Sequence, residues 1–363
     1  MNHLPVIAYK IVGQVLGVQK GQVVSIQGEI HNAPDDGAYA FALAQVPLIE
    51  ELALAVRKKG AFPVIEMSTE NLRRRFLSEM PQEIFDMPID WYTRWAEGID
   101  HHIDVGWRTS PHLFEGISDK TYERIEASTR AVRQAIMRHA KRMVFLGCPS
   151  QSLARYYGLD ADALRAAYNT ALNCDYHRLQ KAGQSLCKDL PAAETFALYS
   201  ASHPGADEQT LELELTEPDT EHTRLADGRF MTLPAGLVSC KIKPGSLQGR
   251  LSLRHVYYGR RQWQGLECRF ENGRCVEVTG PDGIDLTHLR NGLLNHRASV
   301  WLGIGINENI KSPCGYSLFD ETQRGLPTLR FNDPENSSIL LAASQARLLT
   351  GRDDNILGEV LYG

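Results

Sequence analysis

In the first half of the chain, short apolar runs alternate with longer segments of helical periodicity. Residues 23–27 form a β-branched run after the turn pair Lys20-Gly21. Residues 48–59 place apolar side chains on one helical face and end in two lysines, which are followed by Gly60; both features suit a helix C-terminus. Residues 62–67 form a second apolar run. Strand, helix and strand in this order predict two parallel strands joined by a right-handed crossover.

The same alternation continues to about residue 190. The pattern predicts a long helix, a buried strand and a second helix at residues 119–143, 144–147 and 162–182. Ser118 or Asp119 is the expected N-cap of the first of these helices, and Asp160 lies near the start of the second. Alternating elements are typical of an open α/β domain with a parallel sheet, which we predict over residues 1–190.

Beyond Pro191 the pattern changes to that of an antiparallel sheet. Residues 210–216 alternate apolar and polar side chains with period two, as in a half-exposed strand. Residues 266–270 and 274–278 flank Asn272-Gly273, and Asn-Gly between two strand patterns favours a β-hairpin. We therefore predict that residues 191–363 form a second domain, a mainly antiparallel, β-rich α+β fold.

Composition narrows the classes of function. The chain has 363 residues, of which 43% are hydrophobic and 23% charged, close to an average globular composition. A formal net charge of -5 and the absence of a basic block argue against a nucleic-acid or acidic-membrane partner. No apolar run reaches the roughly 18 residues that a membrane span needs, and the first residues lack a signal-peptide pattern. We expect a cytoplasmic protein.

The short motifs of common enzyme classes are absent. Gly303-Ile304-Gly305 is not a dinucleotide fingerprint, because Glu308 stands where a third glycine is required. The seven cysteines contain no Cys-x-x-Cys pair, so we expect buried, reduced thiols. His101 and His102 offer metal-ligand side chains, but neighbours on a strand point to opposite faces, which favours a structural or surface role.

Several segments occur in a fixed order along nearly the whole chain. They are residues 18–26, 59–64, 95–100, 147–154, 233–236, 270–273, 302–307, 320–321 and 351–363. In this order they resemble the thermophilic aminopeptidase T family of dimetal peptidases, to which the 2,5-dihydroxypyridine dioxygenase type of iron enzyme is related. The resemblance implies the two-domain fold predicted above, a cleft for an extended peptide, and two metal ions held by Glu, His and Asp side chains.

Other residues stand where the family carries its metal ligands. The Leu-Pro-x-Gly turn is followed by Leu237 in place of a glutamate, and Trp301 replaces the second glutamate. Thr328 occupies the position of a ligand histidine, and the closing histidine and aspartate correspond to Leu340 and Ala342. The resemblance therefore covers the chain but not its ligand set.

These replacements run from ionisable to non-ionisable side chains. Zinc, cobalt and iron sites of this kind need anionic oxygen or imidazole donors, which leucine, tryptophan and alanine lack. A cluster of carboxylates without its metal would repel itself, whereas apolar residues stabilise the cleft. We therefore expect no metal, no other cofactor and no catalytic residue.

The resulting hypothesis is a catalytically inactive, aminopeptidase-like protein that binds a peptide without cleaving it. The expected peptide-binding residues are Leu237, Trp301, Thr328, Arg330 and Leu340. Tryptophan is a common anchor residue in binding pockets. The resemblance also implies a homodimer. One context for binding without cleavage is a ribosomal peptide natural-product pathway, in which the protein presents a precursor peptide to tailoring enzymes.

Three alternatives stay open. In the first, the protein is a metal-dependent hydrolase or ring-cleaving dioxygenase with a relocated ligand set. The candidate ligands are then His101, His255, His288, His296, Asp320 and Glu321. In the second, the apolar replacements fill a collapsed cavity as core side chains. In the third, the protein is a purely structural dimer with no affinity for a peptide.

Overall fold

A computed structural model of the chain describes most of its residues. The described residues are 3–30, 45–86, 90–105, 118–149, 154–155, 158–190, 195–202, 207–218, 223–225, 228–258, 261–294, 299–311, 316–331, 339–343 and 347–350. Of the residues singled out above, Pro191, His296, residues 150–153 and the closing segment 351–363 lie outside these ranges.

The helices of the described residues are concentrated in the first half of the chain. They are Leu4–Lys10, Val46–Lys58, Glu70–Glu79, Asp90–Glu97, Asp119–His139, Ala161–Leu172, Tyr176–Asp189, Thr287–Leu294 and Ser317–Asp320. A π-helical segment, Ile11–Val15, continues the first helix, and Gln82–Asp86 is a 3₁₀ helix.

The strands dominate the second half. They are β1 (Val23–Ile30), β2 (Phe62–Thr69), β3 (His101–Asp104), β4 (Arg142–Leu146), β5 (Thr195–Ser200), β6 (Gln209–Pro218), β7 (Phe230–Leu233), β8 (Leu237–Ile242), β9 (Gln248–Tyr258), β10 (Arg261–Glu271), β11 (Arg274–Thr279), β12 (Val300–Gly305), β13 (Pro327–Phe331), β14 (Ile339–Ala343) and β15 (Arg347–Thr350).

The chain divides into two compact units. Residues 1–176 and 226–234 form the first unit, and residues 177–225 and 235–363 form the second. This division departs from a single boundary at residue 190, because β7 returns to the first unit and residues 177–190 group with the second.

A five-stranded parallel sheet forms the centre of the first unit. Its order is β2-β1-β3-β4-β7, and all four pairings are parallel. The helix Val46–Lys58 follows β1 and packs against β1 and β2. Its buried face contains Leu48, Ile49, Leu52 and Val56, each at most 2% exposed. The predicted strand–helix–strand unit and its apolar face are therefore confirmed.

Two helix starts in this unit carry side-chain caps, and the one at Ser118 is as predicted. The hydroxyl of Ser118 accepts a hydrogen bond from the backbone N–H of Thr121 at 3.2 Å. The carboxylate of Asp160 accepts one from the N–H of Ala163 at 2.7 Å. Side-chain caps of this type satisfy N–H groups that lack a partner inside the helix.

The prediction of one helix over residues 162–182 is wrong. The structure has two helices, Ala161–Leu172 and Tyr176–Asp189, with a break between them. The break is held by tertiary contacts, because Lys10 donates to both the backbone and the side-chain oxygen of Asn173, at 2.9 and 2.8 Å. Helical periodicity does not register a break of this origin.

A ten-stranded antiparallel sheet forms the centre of the second unit. Its order is β11-β10-β9-β14-β13-β12-β8-β6-β5-β15, with an additional pairing of β9 with β6. The predicted hairpin joins β10 and β11, and both Asn272 and Gly273 have positive φ angles, of 49° and 78°. Positive φ at both central residues is the requirement of a type I′ turn.

The predicted fold class is confirmed: a parallel sheet with helices precedes a large antiparallel sheet. Among the described residues, no helix combines the length and apolar character needed to cross a membrane.

Candidate functional site

The five residues expected to bind a peptide lie on one face of four adjacent strands, β8, β12, β13 and β14. Trp301 pairs with Arg330 across β12 and β13, and Arg330 pairs in turn with Leu340. Thr328 lies opposite Gly303, and Leu237 opposite Gly305. Directly paired residues share a face, and residues two apart on a strand do too. We call this surface the site face.

Two of these side chains converge over a glycine. A Cβ atom at Gly303 would lie 2.5 Å from the hydroxyl oxygen of Thr328 and 3.0 Å from a methyl carbon of Leu237. Both distances are shorter than van der Waals contact, so only glycine fits between the two side chains. The sequence segment Gly303-Ile304-Gly305 thus has a packing role.

Most of the site face is buried, and its accessible end is the row formed by Arg330, Trp301 and Lys241. Leu237, Thr328 and Leu340 are 2–5% exposed. Trp301 and Arg330 are half-buried. Lys241, which pairs with Trp301 from the β8 side, is exposed. The opposite face of the same strands is apolar and belongs to the core.

A buried ion cluster adjoins the site face. The carboxylate of Glu321, a residue 2% exposed, lies 2.6 Å from Nη2 of Arg224 and accepts a hydrogen bond from Nη2 of Arg330. Burial favours the neutral acid, but the two guanidinium groups outweigh burial and lower the pKa of Glu321 below its ordinary value. Glu321 is therefore a carboxylate at neutral pH.

Arg224 reaches this cluster through backbone pairing. Its N–H donates to the carbonyl of Leu237 at 2.8 Å, which fixes it beside the start of β8. Burial lowers the pKa of its guanidinium, and Glu321 acts in the opposite direction. In the part of the chain that the structure describes, its Nε atom is buried and has no hydrogen-bond partner.

The neighbouring acid, Asp320, is bonded elsewhere. It is fully buried and accepts a 2.5 Å hydrogen bond from the hydroxyl of Tyr257. Tyr257 pairs with Leu340 across β9 and β14 and packs with Leu326, Leu340 and Ala342 in an apolar cluster. The two acids of the Asp-Glu pair therefore hold different parts of the site face.

His255 is the histidine closest to this arrangement along β9. It lies opposite Ala342, and its ring is 6.0 Å from that of Tyr257. Burial lowers the pKa of His255 to about 4, so the ring is neutral at pH 7. Its Nδ1 lies 2.8 Å from the amide nitrogen of Gln262, which donates, and the ring proton is therefore on Nε2.

The other candidate ligands do not join Asp320 and Glu321. His288 stacks on Tyr258, with ring centres 4.6 Å apart, and His101 lies on β3 in the first unit, 3.1 Å from the side chain of Gln22. Within the described ranges, no three His, Cys, Asp or Glu side chains come together in a way that could hold a metal ion.

His101 and His102 take structural positions, as their adjacency on a strand indicates. Both are at most 3% exposed, and Nδ1 of His102 lies 3.2 Å from the hydroxyl of Ser25 on β1. Burial lowers the pKa of each ring to about 4.

The donor set on the site face does not fit a pair of metal ions. Of the positions that the sequence resemblance predicts to correspond to family ligands, only Thr328 has a side-chain oxygen atom, and a neutral hydroxyl is a poor ligand for zinc or iron. The nearby carboxylate of Glu321 is occupied by two guanidinium groups. A cation would have to displace them.

Comparison with solved structures agrees with this fold. Wild-type AmpT from Thermus thermophilus is similar, with a TM-score of 0.59 and 18% identity, over 92% of this chain and 86% of that chain. The 2,5-dihydroxypyridine dioxygenase from Pseudomonas putida KT2440 has a TM-score of 0.56 and 12% identity, over 95% and 93%. No protein-family model and no curated protein sequence matches the chain. The aminopeptidase T-like fold is thereby confirmed.

Sequence reasoning missed Lys241, which lies on the site face, and Arg224 and Tyr257, which adjoin it. Arg224 and Tyr257 act through long-range contacts, to Glu321 and Asp320, that no local pattern encodes. Asp320-Glu321 stood out as a motif, but spacing alone gave no role to either acid.

Proposed function

We propose that this protein binds a peptide without cleaving it, on a fold shared with aminopeptidase T. The observation that carries the proposal is the site face, which brings together Leu237, Trp301, Thr328 and Leu340, the residues that the sequence resemblance predicts at the positions of the family's ligands. The exposure of the side chains also supports peptide binding, because the accessible end of the site face carries an aromatic residue, Trp301, that can anchor a ligand.

The chemistry of the donors supports binding over hydrolysis. A dimetal peptidase uses its ions to acidify the attacking water and to polarise the scissile carbonyl. On this site face, the carboxylate of Glu321 is paired with Arg224 and Arg330 instead. Guanidinium groups supply positive charge and hydrogen bonds to a ligand, but they do not generate a hydroxide nucleophile.

Trp301 is the residue expected to contribute most to affinity. Its indole ring offers a large apolar surface, and tryptophan is enriched among residues that dominate binding energies. Trp301→Ala should weaken peptide affinity by more than about 1 kcal/mol. The probe is the fluorescein-labelled peptide Gly-Ala-Leu-Phe-Ala-Gly, and the readout is fluorescence anisotropy.

The matched control is Trp91→Ala, the same change at a tryptophan of the first unit that is 61% exposed. Equal affinities of the two variants would remove Trp301 from the binding surface. Mass spectrometry of the peptide after incubation with zinc, cobalt or ferrous iron tests the absence of cleavage. Metal-dependent cleavage, or near-stoichiometric iron or zinc in protein purified without chelators, would instead support the hydrolase or dioxygenase alternative.

The partners follow from the same proposal. We propose a homodimer in the cytoplasm that presents a precursor peptide to tailoring enzymes of a natural-product pathway. Sedimentation velocity tests the dimer, and capture of a precursor peptide encoded beside this gene tests the context.

A further inference from the structure

Two cations flank Trp301 at the accessible end of the site face. Arg330 is its direct partner on β13, and Lys241 is its direct partner on β8. The three side chains therefore lie side by side across β8, β12 and β13. An indole between two cations offers an apolar surface and positive charge to the same ligand.

The charges of this region do not balance. Among the side chains of this region that the structure describes, Arg224, Arg330 and Lys241 carry three positive charges, whereas Glu321 and Asp320 carry at most two negative ones. Glu321 takes one hydrogen bond from Arg330, through Nη2, and the other N–H donors of this guanidinium have no partner among the described residues. The ammonium group of Lys241 likewise has no ion pair within the described ranges. A surplus of positive charge with unused donors is complementary to an anion.

We propose that Arg330 and Lys241 form, with Trp301, a subsite for a carboxylate group of the bound peptide. The planar fork of a guanidinium matches the geometry of a carboxylate, and hydrogen bonds between charged partners are stronger than neutral ones. The carboxylate comes from the C-terminus of the peptide or from an acidic side chain next to an apolar one. This inference rests on the proposed function and names the chemical class of its ligand.

Three labelled peptides distinguish the two sources. The first is fluorescein-Gly-Ala-Leu-Phe-Ala-Gly with a free C-terminus, the second is its C-terminal amide, and the third is an amide in which the second alanine is replaced by glutamate. We expect the carboxylate-bearing peptide that matches the subsite to bind about tenfold more tightly than the neutral amide. A preference for the first peptide assigns the C-terminus, and a preference for the third assigns an acidic side chain.

Variants connect this preference to the two cations. Arg330→Gln should reduce the tenfold preference to less than about twofold. Lys241→Gln, at an exposed position that does not contact Glu321, should reduce the preference in part, and it tests the subsite even if Arg330→Gln fails to fold. Lys243→Gln is the control, since that lysine is already paired with Glu214 at 2.6 Å, and it should leave the preference unchanged.

The outcomes separate this inference from the proposed function. Binding of all three peptides with equal affinity overturns the carboxylate subsite and leaves peptide binding intact. An equal loss of preference in Lys243→Gln and Lys241→Gln also overturns the subsite. The preference for a carboxylate would then depend on the net charge of the protein and not on the position of Lys241. No binding of any peptide overturns both proposals.

Discussion

Glu321 is the residue on which the electrostatics of the site face depend. It is the shared partner of two guanidinium groups and is almost fully buried. A buried charge whose partner is removed carries the desolvation cost with no compensation. The cluster therefore acts as a unit, in which the loss of the acid strands Arg224 and Arg330 together.

Glu321→Gln should lower the free energy of unfolding by about 3–5 kcal/mol, because it leaves two buried or half-buried cations without a counter-charge. Urea denaturation at pH 7 measures the change. The control is Glu277→Gln, a glutamate on β11 that is 45% exposed and paired with Arg269, where the expected loss is below about 1 kcal/mol. Similar losses in the two variants would contradict the ion cluster.

At the scale of single residues, five positions chosen from the sequence alone lie on one face of the sheet. They are Leu237, Trp301, Thr328, Arg330 and Leu340. This worked because each residue lies on a strand with a two-residue period, so its register determines its face. Arg224 could not be predicted, since it depends on an isolated backbone bridge to Leu237 and on an acid far away in the sequence.

At the scale of elements, β3 illustrates how a short polar strand becomes part of a core. His101 and His102 are buried on opposite faces, and each uses a polar partner on or near β1. The sequence indicated their opposite orientation but not their burial, which comes from β1 and β4 on either side. The broken helix over residues 162–182 has the same origin, a tertiary contact that local periodicity does not contain.

His102 should make the stability of the protein sensitive to mild acid. Its pKa is about 4 in the folded protein against 6.5 for an ordinary histidine, so the unfolded state binds more protons between these values. Above pH 6.5 the ring is neutral in both states and the contribution of His102 to the free energy of unfolding is constant. That contribution falls as the pH decreases from 6.5 toward 4. From pH 8 to pH 5, this one group should cost about 2 kcal/mol.

His102→Gln should therefore lose less stability than the wild type over the same interval, by about 2 kcal/mol. Urea midpoints at pH 8 and pH 5 provide the comparison, and the pH 8 value isolates the packing cost of the substitution, since the ring is neutral there in both states. Parallel pH profiles for the two proteins would exclude burial of this histidine.

At the scale of the whole molecule, β7 lies within sequence that otherwise builds the second unit, yet it extends the first sheet. It pairs with β4, and Arg229 just before it donates to the carbonyl of Ala140 at 3.0 Å. The change of sequence pattern at Pro191 predicted a single boundary between the two domains. A strand such as β7, which returns to an earlier sheet, could not be predicted in this way, because the local sequence pattern does not specify which sheet a strand joins.

Hydrogen exchange can test the membership of β7. Regions that unfold together exchange together, so a substitution that destabilises the first sheet, such as His102→Gln, should speed exchange of the β7 and β4 amides in parallel. Amides of β8, which follows β7 directly in the sequence, should be unaffected. Exchange of β7 in step with β8 would place it in the second unit instead.

The return of β7 also constrains the order of events while the ribosome makes the protein. In many proteins, the N-terminal domain completes its folding before the rest has emerged. Here the edge of β4 stays open until residue 233 has left the exit tunnel, and by then β5 and β6 have already been translated. The nascent chain therefore carries two incomplete sheets at once, and the unpaired backbone groups on the edge of β4 stay exposed until β7 pairs with them.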